Sequence, residues 1–192
     1  MSDNIIKHLS FGDEARENVF NGIDKLYLAV SSTLGASGKC VLLEDGSGGP
    51  VVTKDGVTVA NAVTLIDPVE NMGATLLKQA ARKTVEEAGD GTTTATILAH
   101  SIISEAQKIN GFSEREVKAG INSATTKVIK YLEDRATEVS GDMLKHVATI
   151  SSNNDEELGE IISSAFNASG KGGVVTMEIS RDENTSFEVV NG

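Results

Sequence analysis

The sequence predicts a mainly α-helical protein carrying one small β-hairpin, followed by a smaller α/β unit. Three observations predict it. Apolar residues recur at helical spacing through four long stretches before residue 136. Only two prolines interrupt the 192 residues, so long helices are left unbroken. A Gly- and Ser-rich turn separates two short β-like runs near residue 45.

From Asp13 to Val30, the residues Val19, Ile23, Leu26, Tyr27 and Val30 fall on one helical face, and Gly35 and Gly38 break the pattern. Lys39–Leu43 and Pro50–Thr53 read as strands around the loop Glu44–Gly49. Lys54-Asp55-Gly56 is a further turn, and the β-branched run Val57–Ala60 reads as a strand. From Pro68, which suits a first helical turn, the spacing of Met72, Leu76, Gln79 and Ala80 predicts a helix to about Glu87. Gly89-Asp90-Gly91 interrupts it, and the next helix places Leu98, Ile102 and Ile109 along one stripe. Ser113-Glu114-Arg115-Glu116 is a capping box. The helix it opens carries Val117, Ile121, Ala124, Val128 and Leu132 on one face.

After Ala136 the texture changes. Met143–Ile150 reads as a short helix and Ser151–Asn154 as a polar break. Asn154 is the expected cap of a helix over Asp155–Ala168, with Leu158, Ile161, Ile162, Ala165 and Phe166 as its buried stripe. Asp155, Glu156 and Glu157 sit in its first turn, where the helix dipole favours them. Gly170–Gly173 ends that helix, and Val174–Ile179 and Ser186–Val190 alternate like an antiparallel pair. A domain boundary is expected near residue 137.

Composition removes several classes of function. A formal charge of −11 gives no basic field to neutralise phosphates along a nucleic acid. No apolar run reaches the length of a membrane span, and the polar start Met1–Asn4 does not read as a signal peptide. The single cysteine, Cys40, excludes a disulfide framework and reads as a small buried hydrophobe within a strand. His8, His100 and His146 share no ligand spacing and read as solvent or packing histidines. The expectation is a soluble, cytoplasmic protein.

The chemistry-bearing stretch is Ala88-Gly89-Asp90-Gly91-Thr92-Thr93-Thr94-Ala95-Thr96, set between two helices. Its glycines let the backbone approach a ligand, and the amides of the following helix start favour an anion. Thr92, Thr93 and Thr94 add hydroxyls, and Asp90 can hold a Mg²⁺ that also binds phosphate oxygens. The same residues also suit a plain turn between helices with an Asp/Thr cap. In Lys54-Asp55-Gly56 the lysine could meet phosphate and the aspartate could order a water; Asp-Gly is equally a hairpin turn. Thr33-Leu34-Gly35 reads by itself as a helix stop. No P-loop, dinucleotide fingerprint or nucleophile elbow is present.

Taken in order, these stretches resemble one family. Thr33-Leu34-Gly35, Thr53-Lys54-Asp55-Gly56-Val57, Asn71-Met72-Gly73-Ala74, the Gly89–Thr96 string, Thr149-Ile150-Ser151 and Gly170-Lys171-Gly172-Gly173-Val174-Val175 are similar to those of the group I chaperonins of the GroEL type. The resemblance runs from about Phe11 to Gly192. It implies an equatorial, nucleotide-binding segment over residues 1–136 and an intermediate, hinge segment over 137–192. It implies Mg-ATP as cofactor with K⁺ beside it. Asp90 would be the Mg²⁺ ligand, with Gly89, Gly91, Thr92, Thr93 and Thr94 around the phosphates. Thr33, Leu34 and Gly35 would line the nucleotide, Lys54 would lie near the phosphates and potassium, and Asp55 would be the catalytic residue near the attacking water.

The implied partners are other chaperonin subunits in a ring, unfolded polypeptides and a co-chaperonin lid. The implied activity is ATP-dependent protein folding. One departure stands in the first motif, where Ala36 and Ser37 follow Thr-Leu-Gly and the family usually has proline. The resemblance also implies that the apical domain and the returning halves of the other two domains lie outside these residues. Turnover by this chain alone is therefore not expected. The competing readings are a short chaperonin-like chain that associates with full-length subunits without hydrolysing ATP, and a stand-alone nucleotide-binding module.

Overall fold

The computed structural model describes residues 9–35, 37–44, 46–170, 172–181 and 184–190. Met1–Asn4, His8, Ala36, Lys171, Asn191 and Gly192, on which some expectations rested, lie outside them. In order, the elements are α1 (Gly12–Ser31), β1 (Val41–Glu44), β2 (Pro50–Thr53), α2 (Gly56–Ala62), α3 (Pro68–Ala88), α4 (Thr92–Lys108), α5 (Glu114–Glu133), α6 (Asp142–Ser151) and α7 (Glu156–Ser169). The fold is mainly helical with one two-stranded antiparallel sheet, as the sequence predicts. Contacts divide the chain into two compact units, Met1–Gly120 and Ile121–Gly192.

The core of the first unit is aliphatic. Ile23, Leu26 and Val30 of α1 pack with Val59 and Ala60 of α2 and with Ala74, Leu77 and Ala81 of α3. Small residues allow α1 and α3 to approach closely. A Cβ on Gly22 would lie 1.8 Å from the Glu70 carbonyl oxygen, and one on Gly73 would lie 2.0 Å from that of Val19. Gly73 belongs to the Asn71–Ala74 motif, and Asn71 Oδ1 accepts the Leu65 amide at 3.0 Å. The hairpin pairs Val41 with Thr53 and Glu44 with Pro50.

Several expectations are corrected. Val57–Ala60 is not a strand but the middle of α2. The Asp55 carboxylate accepts the amides of Val57 and Thr58 at 3.4 and 2.9 Å, which caps a helix. Gly56, Val59 and Ala60 are then buried at helical spacing, so packing overrides β propensity. Cys40 is exposed and precedes β1 instead of lying buried within it.

The extents of α3 and α4 match expectation, but their visible stripes do not face inward. Met72 and Leu76 of α3 are exposed, while Val69, Gly73, Ala74, Leu77 and Ala81 are buried. In α4, Leu98 is 57 % exposed and Ile102 and Ile109 are open as well. Its inward face is Thr92 and Thr96, with Ala99 and Ile103 against the core. Threonine can be buried there because the Thr96 hydroxyl donates to the Thr92 carbonyl at 2.8 Å.

Lys78 of α3 is also buried. It donates to the Val63 carbonyl at the end of α2, and burial, with Arg82 nearby, pushes its ammonium below the ordinary lysine pKa. The capping box of α5 is formed as written in the sequence. Ser113 N and Oγ donate to Glu116 Oε2 at 2.8 and 2.7 Å, and Glu116 N donates back to Ser113 Oγ at 3.3 Å. Despite its apolar stripe, α5 contains no buried residue.

In the second unit α6 packs on α7. A Cβ on Gly159 would lie 2.1 Å from Thr149 Oγ1, so the Thr149–Ser151 motif is a close helix crossing, with Lys145 paired to Glu160 across it. The cap of α7 is Asp155, not Asn154, and accepts the Leu158 amide at 2.9 Å. Asn153 and Asn154 instead take positive φ in the turn before it. Phe166, expected in the buried stripe, is exposed. The expected pair Val174–Ile179 and Ser186–Val190 forms no strand among the described residues. Apart from the half-buried Val175 their apolar side chains are exposed, so no packed face holds either segment in a ladder.

Candidate functional site

The site is built at the N-terminus of α4. Helix α3 ends when Gly89 takes φ +73° and its amide closes on Val85 O. Two residues later Gly91 takes φ +81° as the N-cap of α4 and supplies no side-chain cap. Left-handed backbone at both positions suits glycine. Gly91 offers no side-chain acceptor to the first amides of this 17-residue helix, and amides at a helix start favour an anion. Asp90, between the glycines, is exposed, and its Oδ1 accepts the Gly91 amide at 2.6 Å.

Two other motifs meet this turn. The Thr33 hydroxyl donates to Val30 O at 2.8 Å and lies 3.1 Å from the Thr93 hydroxyl, sixty residues away. With the Thr33 proton committed, Thr93 is the donor between them. The Lys54-Asp55-Gly56 turn arrives from the other side. A Cβ on Gly56 would lie 2.2 Å from Thr93 Oγ1 and 3.2 Å from Thr92 Oγ1. Thr93 is therefore the point where all three motifs join, and Gly56 is required there for close approach.

The placement of the expected residues follows from this. Thr33 and Thr92 are buried, Thr93 is half-buried, and Leu34, Gly35, Lys54, Asp55, Gly89, Asp90, Gly91 and Thr94 are exposed around them. Gly35 takes φ +72°, and its carbonyl accepts the Gly38 amide at 2.9 Å. Asp55 is not in a hairpin turn. Besides the two amides it caps, it accepts the Thr58 hydroxyl at 2.5 Å, and its own amide donates to Thr53 Oγ1 at 3.0 Å. Sequence reasoning missed this capping role and the buried Gly56. The signal was present as an aspartate followed by Gly-Val-Thr, but the β-branched residues hid it.

The donor set fits a phosphate and a divalent cation together. Helix-start amides and threonine hydroxyls suit phosphate oxygens, and one exposed carboxylate, Asp90, suits a hard cation. Among the described residues no three His, Cys, Asp or Glu side chains gather to hold a metal by themselves. A Mg²⁺ at Asp90 would thus share its coordination with a ligand's oxygens, as Mg²⁺ commonly does. The other histidine expectation holds for His100, which stacks on Tyr27, and for the exposed His146.

Comparison with known proteins decides the family. Residues 26–192 match the TCP-1/cpn60 chaperonin family. The chain belongs to that family. It is 46 % identical over 189 residues to chaperonin GroEL 1 of Corynebacterium glutamicum, covering 97 % of this chain and 35 % of that one. This chaperonin chain therefore spans about a third of that relative's length. Among solved structures, it is similar to the chaperonin gp146 from the bacteriophage EL 2 (Pseudomonas aeruginosa), crystallised in the presence of ATP-BeFx. That similarity has a TM-score of 0.69 and 34 % identity, covering 80 % of this chain and 28 % of that one. It is also similar to a group III chaperonin in the open state, with TM-score 0.64 and 30 % identity, covering 79 % and 31 %. Among the described residues no helix is long and apolar enough to cross a membrane.

Proposed function

We propose that this chain is the nucleotide-binding portion of a chaperonin subunit, with residues 1–136 as equatorial segment and 137–192 as intermediate segment. The observation that carries the reading is the junction at Thr93, where Thr33 and Gly56 converge on the glycine-capped start of α4. Amides of Thr92, Thr93 and Thr94 receive phosphate oxygens, and Asp90 holds Mg²⁺. That ion, when bound, neutralises charge building on the phosphates. Lys54 supplies a positive charge at the rim, with K⁺ beside it, and Leu34 and Gly35 line the nucleotide.

Asp55 orients the attacking water in this reading, but its carboxylate is already shared with Val57, Thr58 and the Thr58 hydroxyl. A carboxylate engaged in this way has few lone pairs left to orient a water, and a second positioning group is needed for turnover. The 192 residues therefore bind Mg-ATP without hydrolysing it, and folding activity belongs to a ring of subunits that carry this segment. The partners of that ring are unfolded polypeptides and a co-chaperonin lid, and its location is the cytoplasm. The structural relative crystallised with ATP-BeFx supports the nucleotide assignment.

Calorimetric titration of the chain with ATP, with and without Mg²⁺, together with steady-state phosphate release, tests the reading. Mg²⁺-dependent binding with no release above background is expected. No binding under either condition would overturn the nucleotide assignment. Steady release abolished by Asp55→Ala would overturn the claim that turnover needs more than this chain.

A further inference from the structure

Further along α4 a second contact is made, this time with α1 itself, ahead of the turn that carries Thr33. His100 of α4 lies face to face on Tyr27 of α1, with ring centroids 3.7 Å apart and planes inclined by 7°. Its Nε2 is 2.7 Å from Asp24 Oδ1, also on α1, and the Ser104 hydroxyl lies 3.4 Å from the same nitrogen. A carboxylate only accepts, so Nε2 carries a proton and donates it to Asp24. The histidine side chain is 14 % exposed and the Asp24 side chain 57 %, so the ring is held in the seam between α1 and α4 while the carboxylate stays open to water.

Among the described residues, two polar ties thus link α1 and the turn after it to α4. One is Thr93 to Thr33, at the start of α4. The other is His100 to Asp24 and Tyr27, two turns further along. The first tie is the one a ligand would use, because Thr93 has a single proton and gives it to Thr33 in this arrangement. A phosphate oxygen accepting from Thr93 takes that proton and leaves the seam's upper end untied.

We propose that the His100–Tyr27–Asp24 cluster is a positioning clasp that keeps the start of α4 seated on α1 while Thr93 transfers its hydrogen bond from Thr33 to a phosphate. This inference rests on the nucleotide reading and adds residues that none of the motifs contains. His100 does not touch the ligand. It acts by making the release of Thr33 a local change of one hydroxyl instead of a separation of two helices. The aromatic stack and the charged hydrogen bond contribute separately, so each can be removed alone.

The test has a ligand-free arm and a binding arm, both on the whole chain. Asp24→Asn keeps an acceptor for Nε2 but removes the charge; His100→Phe keeps the stack but removes the donor; His100→Ala removes both. In the ligand-free arm, amide hydrogen exchange at Ala95, Thr96 and Ile97, the first amides of α4 that are bonded to the preceding turn, is expected to accelerate in His100→Ala, less in His100→Phe and least in Asp24→Asn. Unchanged exchange in all three would overturn the clasp whether or not nucleotide binds.

In the binding arm, Mg-ATP affinity is expected to fall roughly fivefold or more in His100→Ala, the scale of coupling between linked sites. The same substitution in a Thr93→Val background is expected to cost little further, since no hydrogen bond is then left to transfer. Equal losses in both backgrounds would show a general loosening of the fold and contradict the clasp. Faster exchange in a chain whose wild type binds no Mg-ATP would uphold the clasp's hold on α4 and sink its link to nucleotide.

Discussion

Helices α3 and α5 are of nearly equal length, both amphipathic and both properly started, yet one is the centre of a core and the other buries nothing. α3 begins at Asp67, whose Oδ1 accepts two amides at 2.8 and 2.9 Å; α5 begins at its capping box. The difference is in what lies opposite. Gly22 and Gly73 let the backbones of α1 and α3 nearly touch, whereas a Cβ on Gly120 of α5 would meet nothing within 4 Å. An apolar stripe therefore states a demand for cover, and only close complementarity of two surfaces meets it.

The sharpest way to break this comparison is to place side chains on the glycines. Gly73→Val drives atoms into the Val19 backbone and should cost about 3 kcal/mol or more, read as a collapse of the melting transition. Leu77→Ala, which empties a buried site, should cost on the order of 3 kcal/mol, whereas Leu132→Ala on α5, 59 % exposed, should stay within about 0.5 kcal/mol. Equal losses at both leucines in chemical denaturation would mean that α5 is covered in solution. Its uncovered stripe should also make the chain self-associate as concentration rises, a behaviour that sedimentation velocity can refute by finding a monomer throughout.

Smaller effects sharpen the same contrast. Asp55→Ala removes the cap of α2 and should cost about 1 kcal/mol, separately from any loss at the site; an unchanged denaturation midpoint would show that α2 needs no cap. Gly120→Ala should stabilise α5 by roughly 0.5 kcal/mol, and a loss of helicity by circular dichroism would contradict the open space around it. In the capping box the two bonds from Ser113 hold the Glu116 carboxyl below its ordinary pKa. A depressed carboxylate stabilises above the unfolded pKa and loses that contribution as pH falls through the folded one. Helicity of α5 should therefore decline slightly below about pH 4, and Glu116→Gln should remove that dependence.

Much of this was legible because some signals are local. The capping box, Pro68 in the first turn and the acidic first turn of α7 need only neighbouring residues, and all are found, whereas α1 stops at Ser31 with Ser32 as its cap, ahead of the expected stop at Gly35. Inward faces were legible where one stripe is plainly more apolar, as in α1 with Ile23, Leu26 and Val30. They were hidden where burial selects small or hydroxylated residues, as in Gly73 and Ala74 of α3 or Thr92 and Thr96 of α4. There, close approach matters more than hydrophobicity.

The site divided in the same way. By composition Gly89, Asp90 and Gly91 suit a ligand turn and a plain turn between helices alike, and both glycines do take positive φ. The role of Thr33 beside Thr93 depends on a contact across sixty residues, which only the resemblance could suggest. The approach of Gly56 to Thr93 brings the Asp55 turn to the start of α4, yet the capping of α2 by Asp55 was masked by three β-branched neighbours that ordinarily mark a strand.

The central claim is that three separated motifs form one Mg-phosphate site at the start of α4. Calorimetric titration of Mg-ATP into the wild-type chain and into Asp90→Ala tests it most directly, with far-UV circular dichroism confirming that the variant is folded. Asp90 is exposed and outside the core, so the variant should fold as the wild type does. The account predicts Mg²⁺-dependent binding in the wild type and its loss in the variant. Unchanged Mg-ATP affinity in a folded Asp90→Ala chain would contradict it.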